Sequence, residues 1–147
     1  PNVMPIAMSR YGQAQLEAQG IDAEYVPHAV DTVFKPTFEI DGVPTRKFME
    51  INEDTFIVGM NFANKATGMV HRKAVAEALM AFKIFADSHP DSILYLHTDM
   101  FGSYGGWKLD GLLTAIGLKN EQVLFCDQVQ YRYGISQEEL AAVRVCP

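Results

Sequence analysis

The sequence predicts an α/β fold, with a Rossmann-like parallel sheet and flanking helices. Short runs of branched and aromatic residues at 56–58, 93–96 and 123–125 read as buried strands. Segments of helical period at 72–87 and 109–116 lie between them, and Gly59, Pro90 and Gly117 punctuate the alternation. Strands of this length separated by longer helices build βαβ units, and their crossovers are expected to be right-handed.

The elements follow in order. An apolar run at 3–8 ends in Ser9, which stands where a cap would precede a helix over 11–19, and Gly20 stops that helix. Residues 25–26 form a second short strand before Pro27 removes a donor, and 26–36 reads as a linker with two prolines. Phe38, Ile40 and Val43 flank Asp41-Gly42, a hairpin signal, and Pro44 limits the second arm to an edge or a turn. The strand at 56–58 feeds a long loop over 60–71. In the helix at 72–87, Val75, Leu79, Phe82 and Ala86 recur on one stripe, which Ala78, Met80 and Phe85 widen. The strand at 93–96 leads through His97, Thr98 and Asp99 into a glycine-rich loop and the helix at 109–116. The strand within 122–126 is followed by a loop over 127–134, and Ser136-Gln137-Glu138-Glu139 is a capping box opening a last helix.

The chain has 147 residues, of which 48% are hydrophobic, 11% aromatic and 20% charged, a composition that suits a packed core and excludes disorder, collagen and coiled coil. Its 12 basic and 18 acidic side chains give a net charge of −6, and no basic run interrupts the mixture. Nucleic acid and anionic membrane are therefore poor partners. The longest apolar stretch, 74–86, contains Glu77 and Lys83 and is too short for a membrane span. Cys126 and Cys146 form no CxxC pair and the histidines do not cluster at ligand spacing, so no metal is expected; both cysteines read as small buried apolar residues of a cytoplasmic protein.

In an open parallel sheet, ligands sit outside the carboxyl ends of the strands, beside helix N-termini. Three loops qualify. The first runs from Gly59 through Asn61, Asn64 and Lys65 to Arg72 and Lys73, two cations at the positive end of the long helix. They work against the helix dipole unless an anion is shared there. A phosphate or diphosphate held by Arg72, Lys73 and free backbone N–H groups resolves the conflict; the plainer alternative is that both side chains solvate a helix end. The second loop offers His97, either an acid–base group or the hydrogen-bonded end of a strand, and Asp99. Its Gly102-Ser103-Tyr104-Gly105-Gly106 matches neither GxGxxG nor the phosphate-loop pattern and indicates flexibility. The third, 127–134, holds Gln128, Tyr131, Arg132 and Tyr133, where a base or sugar could stack on a tyrosine or where the rings are amphipathic cover. His28, in the linker, reads as structural.

The order of these segments resembles the retaining glycosyltransferases of the group 1, family 4 type. Val3-Met4-Pro5-Ile6-Ala7-Met8-Ser9 with its helix, Gly20-Ile21, Val26-Pro27-His28-Ala29-Val30-Asp31 and Phe34-Lys35-Pro36 are similar to the region joining the two domains of those enzymes. Phe56-Ile57-Val58-Gly59, Arg72-Lys73 with Ala81-Phe82, Pro90-Asp91 with Leu94-Tyr95-Leu96, and Val123-Leu124-Phe125 resemble the first half of their donor domain. The resemblance implies a partial GT-B fold, with residues 1–36 as the end of the N-terminal domain and linker and 37–147 as the first half of the nucleotide-sugar-binding domain. It implies transfer of a sugar from a nucleotide-diphosphate donor by the parent enzyme, without a cofactor or metal and with the fragment inactive alone. Lys73 matches the family lysine that holds the donor diphosphate. The family arginine directly after the strand glycine is replaced by Met60, so Asn61, Asn64, Lys65 or Arg72 would substitute. The family's two acidic donor contacts are expected beyond residue 147. A dehydrogenase domain is disfavoured because no GxGxxG follows the first strand. The alternative function is a non-catalytic module that pairs through an open sheet edge, with itself or another chain.

Overall fold

The computed structural model describes residues 3–36, 38–66 and 73–144. The chain divides into two compact units, Pro1–Phe34 and Lys35–Pro147.

In the first unit β1 (Ile6–Ala7) leads into α1 (Arg10–Glu17) and then to β2 (Glu24–Tyr25), which lies parallel to β1. Ser9 starts α1 as the sequence predicts: it is extended, and its Oγ accepts from Gly12 N at 2.9 Å. The Gln13 side chain donates to Ala23 O at 2.9 Å and the Arg10 guanidinium lies 3.9 Å from the Tyr25 ring centre, so the helix is tied back onto β2.

The second unit opens with the antiparallel hairpin of β3 (Glu39–Ile40) and β4 (Val43–Pro44), whose turn residues Asp41 and Gly42 both have positive φ. One turn of helix, α2 (Thr45–Phe48), follows it. The sheet consists of β5 (Phe56–Asn61), β6 (Ser92–His97) and β7 (Val123–Phe125), all parallel, with β6 in the centre. The three runs predicted to be neighbouring strands therefore share one sheet. Between them lie α3 (Val75–Ser88) and α4 (Leu109–Ile116), and α5 (Gln128–Tyr133) and α6 (Gln137–Arg144) follow β7.

The core forms on one face of the sheet. Leu94 and Leu96 point from β6 into a cluster with Val75, Leu79, Phe82 and Ala86 of α3 and Leu109 and Leu113 of α4, with Val58 and Met60 of β5 packed beside it. Leu79, Leu94, Leu96 and Leu109 are completely removed from water, each contributing about 1.5–3 kcal/mol of transfer free energy. The opposite face, carrying Tyr95 and His97, is bordered by residues of the hairpin, α2 and α6.

Four expectations are corrected. The first strand does not end at Val58: Gly59, Met60 and Asn61 continue it because Tyr95, Leu96 and His97 remain in register beside them. The long helix begins at Val75 rather than at 72, since Ala74 takes a left-handed conformation that no helical turn tolerates, and Arg72 lies outside the described residues. Residues 128–133 are helix rather than loop, because the Asp127 carboxylate accepts from Val129 N and Gln130 N and so starts a turn. Cys126 is half-buried rather than buried; Cys146 lies outside the described residues.

Candidate functional site at the carboxyl ends of the strands

Parallel pairing puts the carboxyl ends of β5, β6 and β7 at one edge, so the loops after them emerge together. Three side chains join these loops. Thr98 Oγ1 donates to Phe62 O at 2.7 Å, which ties the end of β6 to the loop after β5. The Asn64 amide donates to Asp99 O at 2.7 Å and to Trp107 O at 2.8 Å, while Trp107 N donates back to Asn64 Oδ1 at 3.0 Å. Gln128, at the start of α5, donates to Thr98 O and Cys126 O and accepts from Met100 N at 2.9 Å. Asn64, Thr98 and Asp99 are buried and the bonds of Gln128 and Trp107 partly so; a buried hydrogen bond left unmade costs about 1–3 kcal/mol, so the edge is a fixed frame.

The glycine-rich loop belongs to that frame and is not merely flexible. A Cβ at Gly106 would lie 2.3 Å from Asn64 Oδ1, and one at Gly102 would lie 2.6 Å from Gly106 O. Glycine stands at both positions because backbone and Asn64 pass too close for any side chain. Asp99 organises the same loop: its carboxylate accepts from Phe101 N at 3.1 Å and Ser103 N at 2.6 Å. Burial pushes this carboxyl's pKa up, but the N–H groups of Ser103 and Phe101, the Ser103 hydroxyl and the Arg132 charge outweigh it and hold the value below the ordinary 3.8. In Cys126 burial prevails over its hydrogen bonds and raises the thiol pKa.

Of the residues the sequence offers for a diphosphate, Asn61 is exposed at the end of β5 opposite His97, and Lys65 is exposed with its backbone bridged to Tyr104 and Gly105. Lys73 is exposed one residue before the left-handed Ala74, and among the described residues no side chain caps the N-terminus of α3. Neither lysine has a carboxylate partner among the described residues. Glu77 in the first turn of α3 supplies part of the negative charge that end favours. Asn64 differs from the others: with both amide hydrogens and the oxygen engaged inside the chain, it braces the loop and has no donor left for an anion.

His97 is buried, with Nδ1 3.2 Å from the Tyr95 hydroxyl and its ring 5.5 Å edge-on from Tyr131. It is thus the hydrogen-bonded end of a strand. A cavity of about 310 Å³ opens beside it, lined by Phe48, Tyr95, Asp127, Tyr131 and Glu139 among others. His28 is exposed in irregular backbone. Sequence reasoning missed the bracing roles of Asn64, Thr98 and Gln128, whose partners are distant in sequence.

No protein-family model, curated protein or solved structure matches this chain. Among the described residues no group of three or more His, Cys, Asp or Glu is placed to hold a metal ion, and no helix is long and apolar enough to cross a membrane.

Proposed function

We propose that the chain supplies the donor-binding half-site of a glycosyltransferase, an enzyme that moves a sugar from a nucleotide diphosphate to an acceptor. The observation that carries this reading is the convergence of three parallel strand ends on one braced edge, with Lys65 and Lys73 exposed between β5 and α3 and without a carboxylate partner among the described residues. The diphosphate lies along Asn61, Lys65 and Lys73, with Arg72 beside them in the sequence. As the bond to the sugar breaks, negative charge grows on the leaving diphosphate, and fixed cations lower the barrier by meeting it there. The cavity beside Tyr131 offers an aromatic edge to a base.

Titration of the chain with UDP, GDP and ADP, followed by NMR at the amides of residues 61–73, tests the reading. The expected result is weak, salt-sensitive binding with little preference among bases, reduced about tenfold by Lys73→Ala. Unchanged affinity in that variant, or tight binding insensitive to salt, overturns it.

A second reading, an interaction module, is favoured by one observation. Among the described residues β5 is paired on one side only, and Phe56 and Ile84 expose 60% and 74% of their surface. Sedimentation over a range of concentrations, with and without nucleotide, separates the two: self-association that nucleotide leaves unaltered supports the module, and a strictly monomeric chain counts against it.

A further inference from the structure

The loop after β6 is flanked by cations that come from two different elements. On one side the backbone of Lys65 bridges to Tyr104 and Gly105. On the other, Arg132 at the end of α5 donates through Nη2 to Ser103 Oγ at 2.9 Å. Both residues therefore border the same stretch, 103–105, Lys65 through its backbone and Arg132 through its guanidinium, although they lie far apart in sequence. Asp99, the acid that faces Arg132, already has its oxygens on the N–H groups of Phe101 and Ser103. Asp127, at the other end of α5, is engaged with Val129 N and Gln130 N. Arg132 forms no ion pair among the described residues and uses one of its N–H donors, its guanidinium carbon standing 6.0 Å from the Phe101 ring centre. The remaining donors form the planar fork that matches two phosphate oxygens, and a lysine ammonium is the compact charge that completes such a grip. Gly105 has nothing within 4 Å of where a Cβ would be, so a ligand can approach its backbone closely.

We propose that Arg132 and Lys65 grip a phosphate group jointly across residues 103–105. The inference rests on the donor reading above and extends it, since it brings α5 into the diphosphate site. Arg132 reaches the site only because the loop is held in place: Asn64 fixes Trp107, Asp99 fixes Ser103, and Ser103 receives the guanidinium.

The test uses the whole chain and inorganic pyrophosphate as probe, with amide shifts read at Lys65 and residues 103–105. Arg132→Ala and Lys65→Ala are each expected to weaken pyrophosphate binding about tenfold. Arg132→Lys keeps the charge without the fork and falls between. Lys119→Ala removes an exposed cation before β7, at the opposite end of the sheet, and is expected to stay within about twofold of the parent. Melting curves accompany each variant, with Arg132→Gln replacing Arg132→Ala if the latter fails to fold. Wild-type affinity in the Arg132 variants overturns the proposal, as does a loss in Lys119→Ala equal to that in Arg132→Ala, which marks a general effect of net charge. If Lys73→Ala loses UDP while Arg132→Ala retains pyrophosphate, this inference fails and the donor reading stands. If Lys65 and Arg132 are needed and Lys73 is not, the grip stands and the Lys73 site fails.

Discussion

The side-chain amide of Asn64 and the backbone of Trp107 hold each other in both directions, N–H to oxygen at 2.8 Å one way and 3.0 Å the other. A side chain here does what a neighbouring strand does in a sheet, and it joins the loops after β5 and β6 beside the backbone bridges of Lys65 to Tyr104 and Gly105. Asn64→Ala removes the amide that bonds the carbonyls of Asp99 and Trp107 and the Trp107 N–H. The expected cost is about 2–3 kcal/mol, read in urea as a lower midpoint with an unchanged slope. A shift equivalent to less than about 0.5 kcal/mol would mean that water replaces the amide at no cost.

Two glycines respond in opposite directions to the same added methyl group. Gly106→Ala drives a Cβ against Asn64 and is expected to destabilise by about 1–3 kcal/mol. Gly111 lies within α4 with open space around it, so Gly111→Ala is expected to stabilise by about 0.5–1 kcal/mol. Thermal melts of both variants check the pair, and equal signs would contradict the packing described here.

Asp99 links stability to acid. Its native pKa lies below 3.8, so over the interval between the native and ordinary values the unfolded chain binds more protons than the folded one. Its contribution is therefore complete above the ordinary value and is lost as pH falls through the depressed one. The stability difference between the parent and Asp99→Asn is expected to be constant above about pH 5 and to shrink as pH is lowered below the ordinary carboxylate value. Denaturant midpoints of both proteins across that range measure it, and a difference that grows on acidification reverses the sign.

Within α3, position decides cost. Leu79 is fully buried between the helix and the sheet, whereas Ile84 is largely exposed on the same helix. Leu79→Ala is expected to cost about 2–5 kcal/mol and Ile84→Ala to stay within about 0.5 kcal/mol. Comparable losses at both sites would show that something covers the outer face of the helix.

The parts of this fold that were legible in the sequence are those whose cause is local. Ser136 and Glu139 form the reciprocal capping box their spacing announces, Glu139 N donating to Ser136 Oγ at 3.1 Å and Ser136 N to Glu139 Oε2 at 3.1 Å. Asp41-Gly42 turns the hairpin, and Gly117 ends α4 with φ of 81°. The apolar stripe from Val75 to Ala86 faces the sheet because its period leaves it no other way to be dry. What was illegible depends on partners far along the chain. Gly59 looks like a strand end, yet the strand runs on because β6 lies alongside. Asn64 looks like an exposed loop amide available to a ligand, and only the arrival of Asp99 and Trp107, 35 and 43 residues later, turns it into a brace. Arg132 reads as one cation in a polar stretch until α5 forms and aims it at Ser103.

The all-parallel order of β5, β6 and β7 has a consequence for how the unit reaches its native state. No two of these strands can zip together from a shared turn, since each must wait for a whole helix to double back before its partner comes within reach. Assembly thus depends on encounters between distant stretches of chain, a slow class of event, and helices α3 and α4 shorten the search by condensing the intervening residues first. Because β6 is clasped on both sides, its amides are the last that solvent deuterium can reach, and their exchange times the opening of the sheet as a whole.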